Sequence, residues 1–382
     1  MRYTTLGRSG EQLPLIGLGM GKGLGNDAKA AVYDAFDERM IRLGVDLGMT
    51  LIDVAYDYGC GRGEEAVGRA VKEMRDRVFI ATKFPPEKSS YKDVIVSAEE
   101  SLQRLKTDRI DLYQTHWPNP EIPLEETLGA MERLVREGKV RHIGLSNGTL
   151  AEAKKGWAFL QDIPIVTLQH EYNLLDRTAE SHLIPFCREE GMTFIGYSPL
   201  AHTKLRRDDE RVVRLADIAG RQGLSSTQLV LSWLTRETGV VVLTRTSSEA
   251  HLRENGKAAG FDLAPETVAE VSALFSVKVE SIPASRMWVR GDTTQKSYAT
   301  CEEALENRFR LTPSPAELAA QIRAGELLKP VKVLAGPGGR ANARYEVVEG
   351  KLRYWAWVIA YGNDVPVPSI VNNRTAENTV EP

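Results

Sequence analysis

The chain has 382 residues with 49 Lys plus Arg against 52 Asp plus Glu, a formal net charge of −3 and an isoelectric point near 6.2. This near balance gives no electrostatic reason to bind DNA or acidic lipid. Cys60, Cys187 and Cys301 are far apart and odd in number, so neither a disulfide framework nor a metal site is expected. No segment approaches the ~18 apolar residues of a membrane span, which leads us to expect a cytoplasmic chain with no membrane partner.

In chain order, Tyr3-Thr4-Thr5-Leu6 and Gln12-Leu13 flank the turn residues Gly7-Arg8-Ser9-Gly10, a predicted hairpin that could close the bottom of a barrel. Eight short apolar runs follow, beginning with Leu15-Ile16-Gly17 and Thr50-Leu51-Ile52-Asp53 and ending with Val240-Val241-Val242-Leu243. Amphipathic stretches with apolar residues three and four apart lie between them, as at residues 66–74, 94–105, 127–137 and 226–235. Eight strand–helix alternations predict a (β/α)₈ TIM barrel over residues 1–284, although an open doubly wound sheet gives a similar rhythm.

The rhythm stops there. A polar stretch predicts a linker over residues 285–304, and residues 305–382 form a small C-terminal α/β domain. Its predicted elements are a helix at 315–324, strands at 331–334 and 344–348 around the turn Gly336-Pro337-Gly338-Gly339, and a helix at 352–361.

In a barrel, groups that act together come from the C-terminal ends of different strands. Asp53, Lys83 and His116 stand at three such ends, and Tyr58 follows Asp53 by five residues. Hydride arriving at a carbonyl carbon leaves charge on oxygen, and an acid must then deliver a proton. A phenol is a poor acid at neutral pH, but a neighbouring ammonium lowers its pKa. Lys83 is the candidate ammonium, Asp53 its anchor, Tyr58 the acid and His116 a hydrogen-bond donor to the oxygen. Tyr56 competes with Tyr58 for the acid role, and a strand-end Asp–Lys pair or a core histidine has an ordinary structural reading too.

The strings Asp53-Val54-Ala55-Tyr56-Asp57-Tyr58-Gly59, Ala81-Thr82-Lys83, Gln114-Thr115-His116, Gly144-Leu145-Ser146-Asn147 and Gly196-Tyr197-Ser198-Pro199-Leu200 resemble the aldo-keto reductase family over about residues 1–280. The resemblance implies a (β/α)₈ barrel that reduces aldehydes, ketones or sugar carbonyls with NADPH, and it selects Tyr58 as the acid because the family's proton donor precedes the glycine. It implies that Ser146, Asn147 and Gln169 hold the nicotinamide carboxamide, that Tyr197 stacks on the ring, and that Ser198 and Leu200 line the cofactor. It further implies an adenosine-phosphate site at Arg245, Thr246, His251, Glu254 and Asn255, with Arg245 and Thr246 favouring NADPH over NADH. His251 departs from the family's usual arginine. Met20, Tyr56, Trp117 and Trp288 are candidate substrate-pocket walls.

The tail, over residues 318–371, resembles the ParB N-terminal domain and its sulfiredoxin-like relatives. That likeness implies a nucleotide site at a turn that here reads Gly350-Lys351-Leu352-Arg353. Lys351 replaces the cysteine that sulfiredoxin chemistry needs, and residues 300–382 hold as many basic as acidic residues, so DNA is not an expected partner. A second function class stands beside the enzyme: a cofactor-sensing regulator whose C-terminal domain is an interaction or nucleotide-binding module.

Overall fold

The apolar runs of the first two-thirds of the chain pair with one another in parallel, which buries both faces of each strand and accounts for their unbroken hydrophobic character. The computed structural model describes residues 1–21, 30–201, 209–276, 279–292, 296–311, 313–324, 329–336 and 343–373. It divides into two compact units, Met1–Phe275 and Ser276–Pro382.

The first unit opens with an antiparallel hairpin, β1 (Tyr3–Thr5) and β2 (Gln12–Pro14). It then alternates β3 (Ile16–Gly19), α1 (Ala30–Asp46), β4 (Leu51–Asp53), α2 (Arg62–Val71), β5 (Phe79–Phe84), α3 (Tyr91–Leu105), β6 (Ile110–Thr115) and α4 (Leu124–Arg136). There follow β7 (Val140–Ser146), α5 (Leu150–Phe159), β8 (Ile165–Glu171), α6 (Leu183–Glu190), β9 (Thr193–Tyr197), α7 (Glu210–Arg221), α8 (Ser226–Leu234), β10 (Val240–Thr244), α9 (Glu249–Ala258) and α10 (Pro265–Leu274). Strands β3 to β10 close into a parallel barrel, β10 pairing with both β9 and β3. This settles the sequence's ambiguity in favour of the barrel over the open sheet.

Two apolar layers hold it. Leu51, Phe79, Ala81, Leu112, Val166, Ile195, Val241 and Leu243 cluster together with Leu6 and Leu13 of the hairpin. The hairpin therefore plugs the barrel end that holds the N-termini of the strands, and the Thr193 hydroxyl of β9 donates to the Thr5 carbonyl. A larger cluster fills the space between strands and helices.

The second unit is a five-stranded mixed sheet built from β11 (Val279–Pro283), β12 (Met287–Trp288), β13 (Val331–Ala335), β14 (Tyr345–Glu349) and β15 (Pro366–Asn373). Its strand order is β11-β15-β13-β14-β12. Among the described residues, three helices accompany it, α11 (Cys301–Leu305), α12 (Pro315–Arg323) and α13 (Lys351–Tyr361). Its core of Met287, Val331, Val333, Val347, Tyr354, Trp355 and Val367 is its own.

Two expectations need correction. The chain divides after Phe275 and not at residue 284, because Val279–Pro283 pairs along its whole length with Pro366–Ile370. The expected linker at 285–304 is in large part structure of the second unit, supplying β12 and the start of α11. The turn expected at 336–339 lies, from residue 337 onward, outside the described residues. No helix among the described residues is long and apolar enough to cross a membrane.

Candidate active site

The C-terminal ends of the barrel strands bring the expected residues together. Asp53 closes β4 in register with Ala81 of β5, and Lys83 lies two residues further along β5 on the same face. The Lys83 ammonium donates to Asp53 Oδ1 at 2.6 Å and to the Val54 carbonyl at 2.9 Å. Gln169 Nε2, from β8, donates to the other carboxylate oxygen at 2.9 Å. The Lys83 side chain is 1% exposed and that of Asp53 5%. Burying two such ions costs several kcal/mol, and the cost is met only when every donor and acceptor is used well. Here both carboxylate oxygens and two ammonium donors are engaged. Burial pulls the Lys83 pKa down, but Asp53 and then Tyr58 outweigh it and leave the ammonium above its ordinary value.

Tyr58 hangs over this pair, its ring centroid 5.7 Å from Lys83 Nζ. His116, one residue beyond β6, meets the Tyr58 ring edge-on at 5.6 Å between centroids. The acidity of Tyr58 departs from the sequence argument. Lys83 lowers its pKa as expected, but burial is the larger effect, and with Asp53 and Asp57 it leaves the phenol above its usual value. Asp57, which the sequence reading passed over, places Oδ1 at 3.2 Å from His116 Nδ1.

Tyr56 is corrected on both counts on which it had been expected. Its hydroxyl donates to Glu100 and its ring lies 4.3 Å under the Arg104 guanidinium, so it faces α3 and is neither a rival acid nor a pocket wall. Arg104 in turn donates through Nε to Glu64 at 2.7 Å, and Thr82 donates its hydroxyl to the other Glu64 oxygen at 2.6 Å. Glu64 has no exposed surface. No spacing rule could have found this pair, since Glu64 and Arg104 read as ordinary helix-surface charges.

The cofactor-expected residues gather along the rim made by β7 to β10. Asn147 sits in the left-handed region at φ 58, a conformation that asparagine tolerates better than most. Its Nδ2 donates to the His116 carbonyl at 2.9 Å, and it accepts the Tyr197 hydroxyl on Oδ1 at 2.7 Å. Ser146 and Gln169 are buried, in register across β7 and β8. Gln169 donates one amide hydrogen to Asp53. Burial holds the Tyr197 phenol well above its ordinary pKa. Ser198, at φ 53, follows β9 with its carbonyl accepting from Asn173, and Leu200 is exposed.

Beyond β10, Arg245 is exposed, forms no ion pair among the described residues, and lies so close to Gly21 that a Cβ there would come within 3.2 Å of the guanidinium. The Thr246 hydroxyl accepts from the Ser248 amide at 3.1 Å. His251 is exposed on the first turn of α9, and Glu254 accepts the Ser225 hydroxyl. Asn255 is buried, and its Oδ1 has no hydrogen-bond partner among the described residues.

Of the expected pocket walls, Met20 is buried directly after β3 and Trp117 stands half exposed beside His116. Trp288 belongs to the second unit, where it pairs with Glu346 across β12 and β14.

The chain is 33% identical over 258 residues to methylglyoxal reductase YeaE of Escherichia coli K12, covering 67% of this chain and 89% of that protein. Among solved structures it matches the thermostable aldo-keto reductase Tm1743 in complex with the inhibitor epalrestat, with a TM-score of 0.67 and 38% identity over 72% of this chain and all of the other. It also matches an aldo/keto reductase of Klebsiella pneumoniae in complex with NADP and acetate, with a TM-score of 0.66 and 32% identity, covering 72% of this chain and 96% of that one. The model of the aldo/keto reductase family matches residues 15–275, nearly the whole first unit, and the chain belongs to that family.

Proposed function

We propose that the first unit is an NADPH-dependent oxidoreductase that reduces an aldehyde, ketone or sugar carbonyl, or oxidises the corresponding alcohol, with Tyr58 as general acid. One observation carries the reading: a buried ammonium, locked by Asp53 and Gln169, faces the phenol of Tyr58 beside His116 at the mouth of a barrel. NADPH, when bound, supplies the hydride to the carbonyl carbon. The Tyr58 hydroxyl gives its proton to the carbonyl oxygen as charge develops there, and the Lys83 ammonium stabilises the phenolate left behind. His116 donates a hydrogen bond that orients the oxygen, while Asp53 keeps Lys83 charged and in place.

The residues present fit a dinucleotide. Asn255 Oδ1 is a buried acceptor awaiting a donor, and Arg245 is an exposed cation at the rim, suited to a 2′-phosphate. Ser146, Asn147 and Tyr197 would hold and face the nicotinamide, with Ser198, Leu200, Thr246, His251 and Glu254 along the rest of the cofactor. Gln169 is assigned first to Asp53. The relative named as a methylglyoxal reductase and the NADP-bound neighbour support the reading, which is favoured over a cofactor sensor because the proton-transfer residues converge at one end of the barrel.

Turnover of NADPH against a panel of small aldehydes and ketones, methylglyoxal included, tests it. Carbonyl-dependent NADPH consumption, faster than with NADH, is the expected outcome. Consumption with no member of the panel, or a preference for NADH, would contradict it.

For the second unit we keep the ParB-type or sulfiredoxin-like likeness as a proposal, supported by Gly350 turning β14 into α13 at φ 82. A nucleotide grip there is disfavoured, since the Arg353 guanidinium donates to the carbonyls of Lys329 at 2.7 Å and Pro330 at 3.2 Å.

A further inference from the structure

An ion pair between a fully buried carboxylate and a partly buried guanidinium stands beside the loop that carries Tyr58 and takes no part in the chemistry described above. Glu64 lies on the first turn of α2 with no exposed surface, one oxygen held by Arg104 of α3 at 2.7 Å and the other by the Thr82 hydroxyl of β5 at 2.6 Å. Such a pair returns little net stability, since desolvation consumes most of the attraction, and an apolar replacement of similar volume often serves as well. Its value must therefore be sought in the geometry it imposes.

That geometry is centred on Tyr58. Thr82 is the residue before Lys83, so Glu64 is fixed to the strand that carries the ammonium. Gly63, the residue before Glu64, donates its amide to the Tyr58 carbonyl at 3.1 Å, and a Cβ there would stand 3.2 Å from the Tyr58 Cβ. Arg104 presses on the same loop from behind. Its guanidinium covers the Tyr56 ring at 4.3 Å, and its Cδ would lie 2.7 Å from a Cβ at Gly61, where φ is 91. The loop between β4 and α2 is thus gripped on both sides of Tyr58, and the Glu64–Thr82 bond refers it to Lys83.

We infer that Glu64, Arg104 and Thr82 are positioning residues for proton transfer, setting the distance between the Tyr58 phenol and the Lys83 ammonium. The inference rests on Tyr58 being the acid. A displacement of about 1 Å at a reacting group can cost on the order of 100-fold in rate, and a phenol that moves away from the ammonium becomes a weaker acid. The charged or titratable groups facing Tyr58 are Lys83 of β5, Asp53 of β4, Asp57 of its own loop, His116 beyond β6, Tyr197 of β9 and Arg245 beyond β10. When the loop slips, Lys83 and its partner Asp53 both act on the phenol from farther away, and because the Lys83 attraction is the larger of the two the phenol becomes the weaker acid.

The test compares Thr82→Val, Thr82→Ser and Glu64→Gln with the wild type in the full chain. Measured for each are kcat, the dissociation constant of NADPH by fluorescence quenching, and the pH profile of alcohol oxidation. We expect Thr82→Val and Glu64→Gln to lower kcat roughly tenfold or more with NADPH affinity within about twofold. Their oxidation profile should move to higher pH by roughly half a unit or more, because the phenolate forms later. Thr82→Ser should restore both. If Glu64→Gln does not fold, the Thr82 pair decides alone. Wild-type kcat and pH profile with only a lower melting temperature would overturn the inference, as would equal losses of kcat and NADPH affinity that serine does not rescue. Tyr58→Phe is the control: activity in that variant would remove the reading of Tyr58 itself, whereas an inactive Tyr58→Phe beside unaffected Thr82 and Glu64 variants would remove only this inference.

Discussion

Two opposed effects set the acidity of Tyr58. The Lys83 ammonium favours the phenolate, whereas burial, Asp53 and Asp57 favour the neutral phenol, and the second group prevails. A pKa raised above the ordinary phenol value keeps the proton on Tyr58 through the neutral range and beyond. The rate of carbonyl reduction should accordingly stay flat with respect to this group from neutral pH to about pH 10 and fall only above it. A pH profile of kcat/KM for reduction checks this, and a decline attributable to Tyr58 near neutrality would show that the ammonium wins. At this scale the sequence was most informative at the ends of the barrel strands. Asp53, Tyr58, Lys83 and His116 were legible because each sits at or just after a strand end. Glu64 and Arg104 were not, since forty residues separate them and only the packing of α2 on α3 makes them partners. Tyr56 misled because adjacency along a loop does not say which way a ring turns.

The contact between α2 and α3 that brings those charges together depends on one small residue. A Cβ at Gly68 of α2 would lie 2.6 Å from the Leu105 carbonyl oxygen and 2.8 Å from that of Arg104, both backbone atoms that cannot rotate away. Gly68→Ala is expected to destabilise the protein by roughly 1–3 kcal/mol through overpacking, despite the higher helix propensity of alanine. Chemical denaturation would show it, and a stability equal to or above wild type would mean that the helices separate freely. Barrel strands were readable as elements because parallel strands buried on both faces appear as continuous apolar runs. The edge strands β11 and β12 and the inner strand β15 were not. Val279–Pro283 is largely exposed and alternates weakly, Met287–Trp288 has two residues, and Pro366–Asn373 carries prolines that usually argue against a strand. Their pairing partners lie tens of residues away, so local pattern carries little of the signal.

Each of the two units has a hydrophobic core of its own, and the family match ends where the first unit ends. A chain terminated after Phe275 is therefore expected to fold with a single cooperative thermal transition and to bind NADPH. A molten or aggregated product would contradict the division. The sequence rhythm located this division only to within about ten residues, because α10 and the short β11 that follows it offer no break in composition that a reader could use. The eightfold alternation did reveal the barrel, yet it could not exclude an open sheet until β10 was seen to pair with β3.

The most direct test of the central claim is a single-turnover measurement of NADPH oxidation by Tyr58→Phe with a carbonyl that the wild type reduces. The phenylalanine ring keeps the packing against His116 and Lys83 and removes only the hydroxyl that carries the proton. NADPH should bind to Tyr58→Phe with wild-type affinity while the rate of its oxidation falls by roughly 100-fold or more. An undiminished single-turnover rate would contradict the assignment of proton transfer to this phenol.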